Sequence, residues 1–232
     1  MSATRIKICG LMEPQDIETI NKYRPDYAGF IINFPKSHRS RTPEQVAGLT
    51  ASLIPDIVPV GVFVDQPEEL VIDLFNRNVI SIAQLHGHED ESYIRHIQDA
   101  TGKPVFKAFV VRSPEDVKMA MSSPADEILL DAGLGGGTSF DWSILEPCAL
   151  GTSGINPSAS GTTATAKPSS PGTSASDSRR FILAGGLSSD NIKTAISTVH
   201  PWGVDISSGV ETDKRKNPAK IAEIIGIIRD HI

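Results

Sequence analysis

Short β-branched runs alternate with longer amphipathic stretches along this chain, and the alternation repeats eight times. The apolar runs cover residues 5–9, 27–32, 58–64, 81–85, 104–109, 127–131, 181–184 and 203–206. Most are nearly continuous in apolar character, which suits parallel strands covered on the outside by helices. The stretches between them carry helical signals. Glu13-Pro14 opens the first, with Ile17 and Ile20 three apart, and Thr42-Pro43-Glu44 opens the second. Pro67 and Pro114 open the third and fifth in the same manner, proline being tolerated in the first helical turn. The last helix has the clearest stripe: Ile221, Ile224, Ile225 and Ile228 recur at i, i+3, i+4 and i+7. Regular strand–helix alternation implies a parallel sheet. Eight such units imply closure into an α/β fold of the (β/α)8 TIM-barrel type, a single domain over residues 1–232. An open doubly wound sheet is the alternative, but no Gly-x-Gly-x-x-Gly follows the first strand.

One segment breaks the pattern. Residues 149–178 are almost entirely Ser, Thr, Ala, Gly and Pro, with Leu150 and Ile155 as the large apolar exceptions. Such a tract cannot bury enough surface to offset its ordering entropy, so it is expected to be a disordered loop. It would lie between a sixth helix at 140–145 and the seventh strand, on the side of the barrel away from the strand tips. A long insertion there costs little in closure entropy.

Composition narrows the function classes. A formal net charge of −6 argues against a nucleic-acid surface, which needs a basic stripe. No apolar run approaches the ~18 residues of a membrane span, and the first residues do not read as a secretory leader. Two cysteines, Cys9 and Cys148, give no disulfide framework. The expectation is a cytoplasmic protein with no nucleic-acid and no membrane partner.

In a barrel of this class chemistry sits at the C-terminal strand ends. The first strand ends in Cys9, followed by Gly10; the fourth ends in Gln84-Leu85-His86-Gly87 and the sixth in Asp131. Glycine-rich turns follow strands seven and eight, at Gly185-Gly186 and Ser208-Gly209. Turns of this kind let backbone N–H groups approach a phosphate, so these four residues are the expected phosphate cradle. A further turn, Gly133-Leu134-Gly135-Gly136-Gly137-Thr138, could close over a ligand.

Cys9 and Asp131 come from opposite sides of the ring and suit an isomerisation in which one group removes a proton and the other donates one. Cys9 could equally be a small buried hydrophobe, the ordinary fate of a free cysteine. To act as a base it must be a thiolate, and its reference pKa is about 8.5. Lys7, two residues earlier on the same strand face, is expected to lower that value; the other reading makes it an interior cation paired with a carboxylate. Arg39 could clamp a carboxylate bidentately or lie in a solvated loop. His86 could contact substrate or hydrogen-bond at the rim, and with no second histidine near it no metal site is expected.

The ordered motifs Lys7-Ile8-Cys9-Gly10, Phe34-Pro35-Lys36-Ser37-x-Arg39, Gln84-Leu85-His86-Gly87, Leu129-Leu130-Asp131, Phe140-Asp141-Trp142, Leu183-Ala184-Gly185-Gly186-Leu187 and Asp205-Ile206-Ser207-Ser208-Gly209-Val210-Glu211 resemble those of phosphoribosylanthranilate isomerases of tryptophan biosynthesis. The resemblance runs from Arg5 to the last helix, with the 149–178 tract outside it. It implies an Amadori rearrangement of N-(5-phosphoribosyl)anthranilate to 1-(2-carboxyphenylamino)-1-deoxyribulose 5-phosphate. Cys9 would be the general base and Asp131 the general acid; Arg39 would face the anthranilate carboxylate, with His86 and Asp205 also binding substrate. No cofactor is implied, and neighbouring tryptophan-pathway enzymes are candidate partners. The chain departs from the family after strand six, where the turn is shorter and lacks a lysine, and Met12 stands where a threonine is frequent. Two alternatives are another sugar-phosphate isomerase of this fold, as in histidine biosynthesis, and a barrel that binds a phosphorylated ligand without catalysis. The first uses aspartates at both proton-transfer positions, so Cys9 argues against it.

Overall fold

The computed structural model describes residues 4–131, 145 and 179–230. The glycine turn at 133–138, the helix expected over 140–145 (apart from Leu145) and the 149–178 tract lie outside the described residues.

The elements follow in chain order: β1 (Arg5–Cys9), α1 (Pro14–Tyr23), β2 (Tyr27–Ile31), α2 (Pro43–Thr50), β3 (Val58–Phe63), α3 (Glu68–Asn76), β4 (Ile82–Leu85), α4 (Glu91–Thr101), β5 (Val105–Val110), α5 (Pro114–Met121), β6 (Glu127–Asp131), β7 (Phe181–Ala184), α6 (Ile192–Val199), β8 (Gly203–Ile206) and α7 (Pro218–Asp230). The eight strands close into one parallel barrel in sequence order, β8 pairing with β1 through Lys7 opposite Asp205. This is the expected (β/α)8 architecture. Strand limits differ from the sequence reading by a residue or so: β4 begins at Ile82, and β5 runs on to Val110, which pairs with Asp131.

Alternate strand positions face opposite ways, and two apolar layers result. Val60, Ile82, Phe106, Ala108, Leu129, Ile182 and Ala184 fill the barrel interior. Outward positions such as Ile8, Phe30, Phe63, Leu85, Leu130 and Leu183 join the helix faces in the larger core. All four stripe isoleucines of α7 are buried there.

Local signals fix the helix starts. Thr42 accepts a hydrogen bond from Gln45 N while the Gln45 side chain accepts from Thr42 N, and Pro43 follows the cap. Ser113 and Asp116 repeat the arrangement at α5. Of the described helices, none is long and apolar enough to cross a membrane.

Two details aim the chain at the strand tips. Beyond β2, Ile32 bridges to Arg41, so the loop carrying Arg39 doubles back along the strand end. After β8 a short 3-10 turn (Ser208–Val210) leads into an antiparallel ribbon, β9 (Glu211–Thr212) and β10 (Arg215–Lys216), with Lys216 opposite Glu211. The ribbon is tied to its own ends by Asn217 N donating to Val210 O and by Lys220 Nζ donating to Glu211 O.

Candidate active site

A cavity of about 410 Å³ opens at the C-terminal ends of the strands. Cys9, Arg39, His86, Asp131 and Asp205 all line it, as do Gly185, Gly186 and Ser208. Gly209 stands just behind: a methyl group on it would collide with the Leu187 carbonyl. The structure thus brings Cys9, Arg39, His86, Asp131, Asp205 and the turns after β7 and β8 to one cavity, with Lys7 just beneath it; the 133–138 turn lies outside the described residues. A larger hollow of about 570 Å³ lies outside the barrel between α1 and α2, lined by Met12, Ile17, Arg41 and Leu49. No strand-tip thiol or carboxylate reaches it.

Cys9 is buried, at 6% exposure, on the rim of the barrel interior. Its neighbour Lys7 is 1% exposed and pairs with Asp205, Nζ to Oδ1 at 3.0 Å. A methyl group on Gly29 of β2 would lie 2.8 Å from Cys9 Sγ and 2.9 Å from Lys7 Nζ. Glycine at that position is what lets both side chains turn toward β2.

Lys7 does pull the Cys9 thiol down, as expected, but it does not set the net direction of the shift. Burial, followed by the Asp205 carboxylate, pushes the Cys9 thiol up, and the cations Lys7 and Lys216 pull it back by less. Burial also opposes the charge on Lys7, but Asp205 and Cys9 more than offset it and leave that ammonium above its usual value. Lys7 therefore acts on Cys9 in the expected direction and is also the interior cation paired with a carboxylate. Both readings of Lys7 hold, while burial first and Asp205 second keep the net shift of the thiol upward.

Arg39 gives a result that the sequence did not foresee. Its Nε donates to Glu211 Oε1 at 2.6 Å and its Nη2 donates to Oε2 at 2.7 Å. Its stem passes over Gly10, whose φ of 77° and missing side chain open the lane. Glu211 also accepts from Lys216 Nζ at 2.8 Å, and Lys216 donates a second hydrogen bond to Ser207 O at 2.9 Å. Ser207 in turn donates to the Cys9 carbonyl at 3.2 Å. Burial opposes the Glu211 charge, yet the hydrogen bonds from Arg39 and Lys216 hold its carboxyl down at about 2. Glu211 was visible in sequence only as the end of a motif. Lys216 carried no signal, because the ribbon that folds it back onto Glu211 is two residues per strand.

Across the cavity His86 Nε2 lies 3.6 Å from Asp131 Oδ2. His86 is fixed at the backbone by its N–H donating to Phe63 O at 2.8 Å. Beneath it Gln84 is 1% exposed. Among the described residues no group of three or more His, Cys, Asp or Glu is arranged to hold a metal ion.

Known proteins resemble this chain in sequence and in fold. The profile of the N-(5'phosphoribosyl)anthranilate (PRA) isomerase family matches residues 6–155 and 168–226. An N-(5'-phosphoribosyl)anthranilate isomerase of Acetivibrio thermocellus is 33% identical over 98% of this chain and 96% of its own. Its counterpart in Clostridium kluyveri is 36% identical over 97% and 98%. The crystal structure of phosphoribosyl anthranilate isomerase from Thermotoga maritima superposes with a TM-score of 0.77 at 29% identity, covering 98% of this chain and 99% of that one. A structure of such an enzyme in complex with reduced 1-(o-carboxyphenylamino)-1-deoxyribulose 5-phosphate gives the same values of 0.77 and 29%, with 98% and 99% covered.

Proposed function

The chain belongs to the N-(5'-phosphoribosyl)anthranilate isomerase family, and from that premise we propose how its own residues divide the work of the Amadori rearrangement. The protein is an isomerase of tryptophan biosynthesis that acts on a small phosphorylated substrate. The substrate is N-(5-phosphoribosyl)anthranilate and the product 1-(2-carboxyphenylamino)-1-deoxyribulose 5-phosphate.

Asp131 is the general acid. It protonates the ribose ring oxygen as the C1–O bond breaks, and the lone pair of the anthranilate nitrogen forms an iminium ion. Cys9 is the general base. It removes the proton from the adjacent carbon, the electrons of that C–H bond neutralise the iminium, and the resulting enolamine tautomerises to the ketone. The nitrogen of the substrate is the electron sink, so this reading calls for no cofactor. The phosphate sits on Gly185-Gly186 and Ser208-Gly209, where backbone N–H groups supply donors without side-chain bulk. Arg39 holds the anthranilate carboxylate; His86 and Asp205 contact the opened sugar.

One observation carries the assignment: Cys9 at the end of β1 and Asp131 at the end of β6 line the same cavity as both glycine turns. General acid and base groups typically contribute 10²–10⁴-fold each. Loss of anthranilate-substrate fluorescence with the wild type, but not with Cys9→Ala or Asp131→Asn, is the expected result. Turnover unaffected by both substitutions would sink the mechanism. A cytoplasmic location goes with this reading.

A further inference from the structure

A planar guanidinium has two edges that can each receive a carboxylate: the side formed by Nε and one terminal nitrogen, and the end formed by the two terminal nitrogens. In Arg39 the side edge is taken by Glu211, at 2.6 and 2.7 Å. Among the described residues no partner occupies the end edge, and Arg39 lines the cavity. This sets an electrostatic problem. An arginine already paired with a buried carboxylate is close to neutral as a unit, and it would attract a second carboxylate weakly.

Lys216 answers it. Its Nζ lies 2.8 Å from Glu211 Oε1, and its side chain is 1% exposed, as against 7% for Glu211. Two cations share one carboxylate, so the cluster keeps one net positive charge. His38 Nε2, 3.8 Å from Oε2, adds to that surplus only when protonated. Lys216 is held in place by Ser207 O and by the ribbon pairing opposite Glu211, and it does not line the cavity.

We infer that Lys216 is a positioning residue for substrate recognition: by taking up the charge of Glu211, it lets Glu211 aim the Arg39 guanidinium while leaving that arginine's positive charge free for the carboxylate of the substrate. The inference deepens the proposed function and rests on its reading of Arg39 as the carboxylate clamp. Glu211 then acts as a fixed anchor and is not a competitor for the arginine, and the ribbon after β8 is part of the substrate site although it touches no substrate.

The test compares two probes: reduced 1-(o-carboxyphenylamino)-1-deoxyribulose 5-phosphate and the phenylamino analogue lacking the carboxylate. Lys216→Met should weaken binding of the first by roughly tenfold, a scale ordinary for a nearby charge in a partly buried site, and leave the second within about twofold. KM for the natural substrate should rise in step. Lys216→Arg should restore most of the affinity. Lys216→Met combined with Glu211→Gln should also recover affinity, because removing both charges returns the surplus to Arg39. A simple packing defect at Lys216 would weaken both probes and would not be repaired by Glu211→Gln, so either of those results overturns the inference. Arg39→Gln separates the two layers. If it spares the carboxylated probe, the clamp reading itself fails. If it weakens that probe while Lys216→Met does not, only the role of Lys216 fails.

Discussion

Lys7 Nζ and Asp205 Oδ1 meet at 3.0 Å beneath Cys9, one strand apart and directly opposite in the β1–β8 register. The pair places a cation and an anion against the same thiol, and they act in opposite senses. Burial and Asp205 raise the thiol pKa; Lys7 lowers it. Lys7→Met should therefore raise the pKa of Cys9 further, and Asp205→Asn should lower it. The pH dependence of alkylation by iodoacetamide reads both. Shifts in the same direction for the two variants would refute this account of the site.

Cys9→Ala and Asp131→Asn should each lower kcat by about 10²–10⁴-fold with the barrel intact. The two losses should not multiply fully, since the acid and the base serve successive proton transfers on one substrate. Single-turnover measurements should show the defect in the chemical step. A defect confined to product release would contradict the assigned roles.

Much of this site was legible in the chain because barrel topology converts strand ends into neighbours. Once eight strand–helix units are counted, Cys9 and Asp131 must face one mouth, and the turns after β7 and β8 must flank it. What sequence could not show were the pairings made by side chains. Glu211 lies 172 positions from Arg39, and no local pattern links them. Lys7 was recognised as a neighbour of Cys9, yet the sign of the thiol shift depended on how much burial and Asp205 weighed against it. Lys107 and Glu89 were missed for the same reason: a lysine in an apolar strand has no visible partner until the β4–α4 loop folds over it.

That last pair yields a stability prediction. Lys107 and Glu89 lie 2.8 Å apart with side chains 6% and 1% exposed. Glu89 also accepts from Asp65 N at 2.8 Å and Gly87 N at 2.9 Å, so it joins the loops after β3 and β4. Glu89→Ala would strand a buried ammonium and two backbone N–H groups, which costs about 3–5 kcal/mol. Urea denaturation should show that loss. Glu89→Leu with Lys107→Met should recover a large part of it, because replacing both charges removes the desolvation penalty along with the pair.

Gly209→Ala tests the phosphate cradle. The added methyl would collide with the Leu187 carbonyl oxygen, and the Leu187 carbonyl carbon would stand at 2.9 Å. Both are backbone atoms and cannot swing aside, so the turns after β7 and β8 must move apart. Overpacking of this kind costs roughly 1–3 kcal/mol, and the expected readout is a weaker inhibition by inorganic phosphate. An alkylation profile of Cys9 like that of the wild type would localise the damage to the phosphate end. Unchanged phosphate inhibition would remove Gly209 from the cradle.

Glu211 should make the fold sensitive to acid in a defined window. Its carboxyl titrates at about 2 in the folded protein, against an ordinary 4.5, because Arg39 and Lys216 outweigh the cost of burial. A carboxyl held down in this way stabilises the fold in full while it is ionised in both states, and progressively less once the unfolded chain takes up the proton. Its contribution is complete above pH 4.5 and is lost as the pH falls toward 2. The linked free energy is on the order of 3 kcal/mol at neutral pH. Glu211→Gln cannot titrate, so the stability difference between wild type and variant should be largest near pH 7 and shrink steadily below pH 4.5. Equilibrium urea unfolding of both proteins across that range reads the difference directly, since other titrating groups are common to the two and cancel. A difference that stays constant from neutral pH to the acid limit would mean that the carboxylate of Glu211 is not held by its two cations.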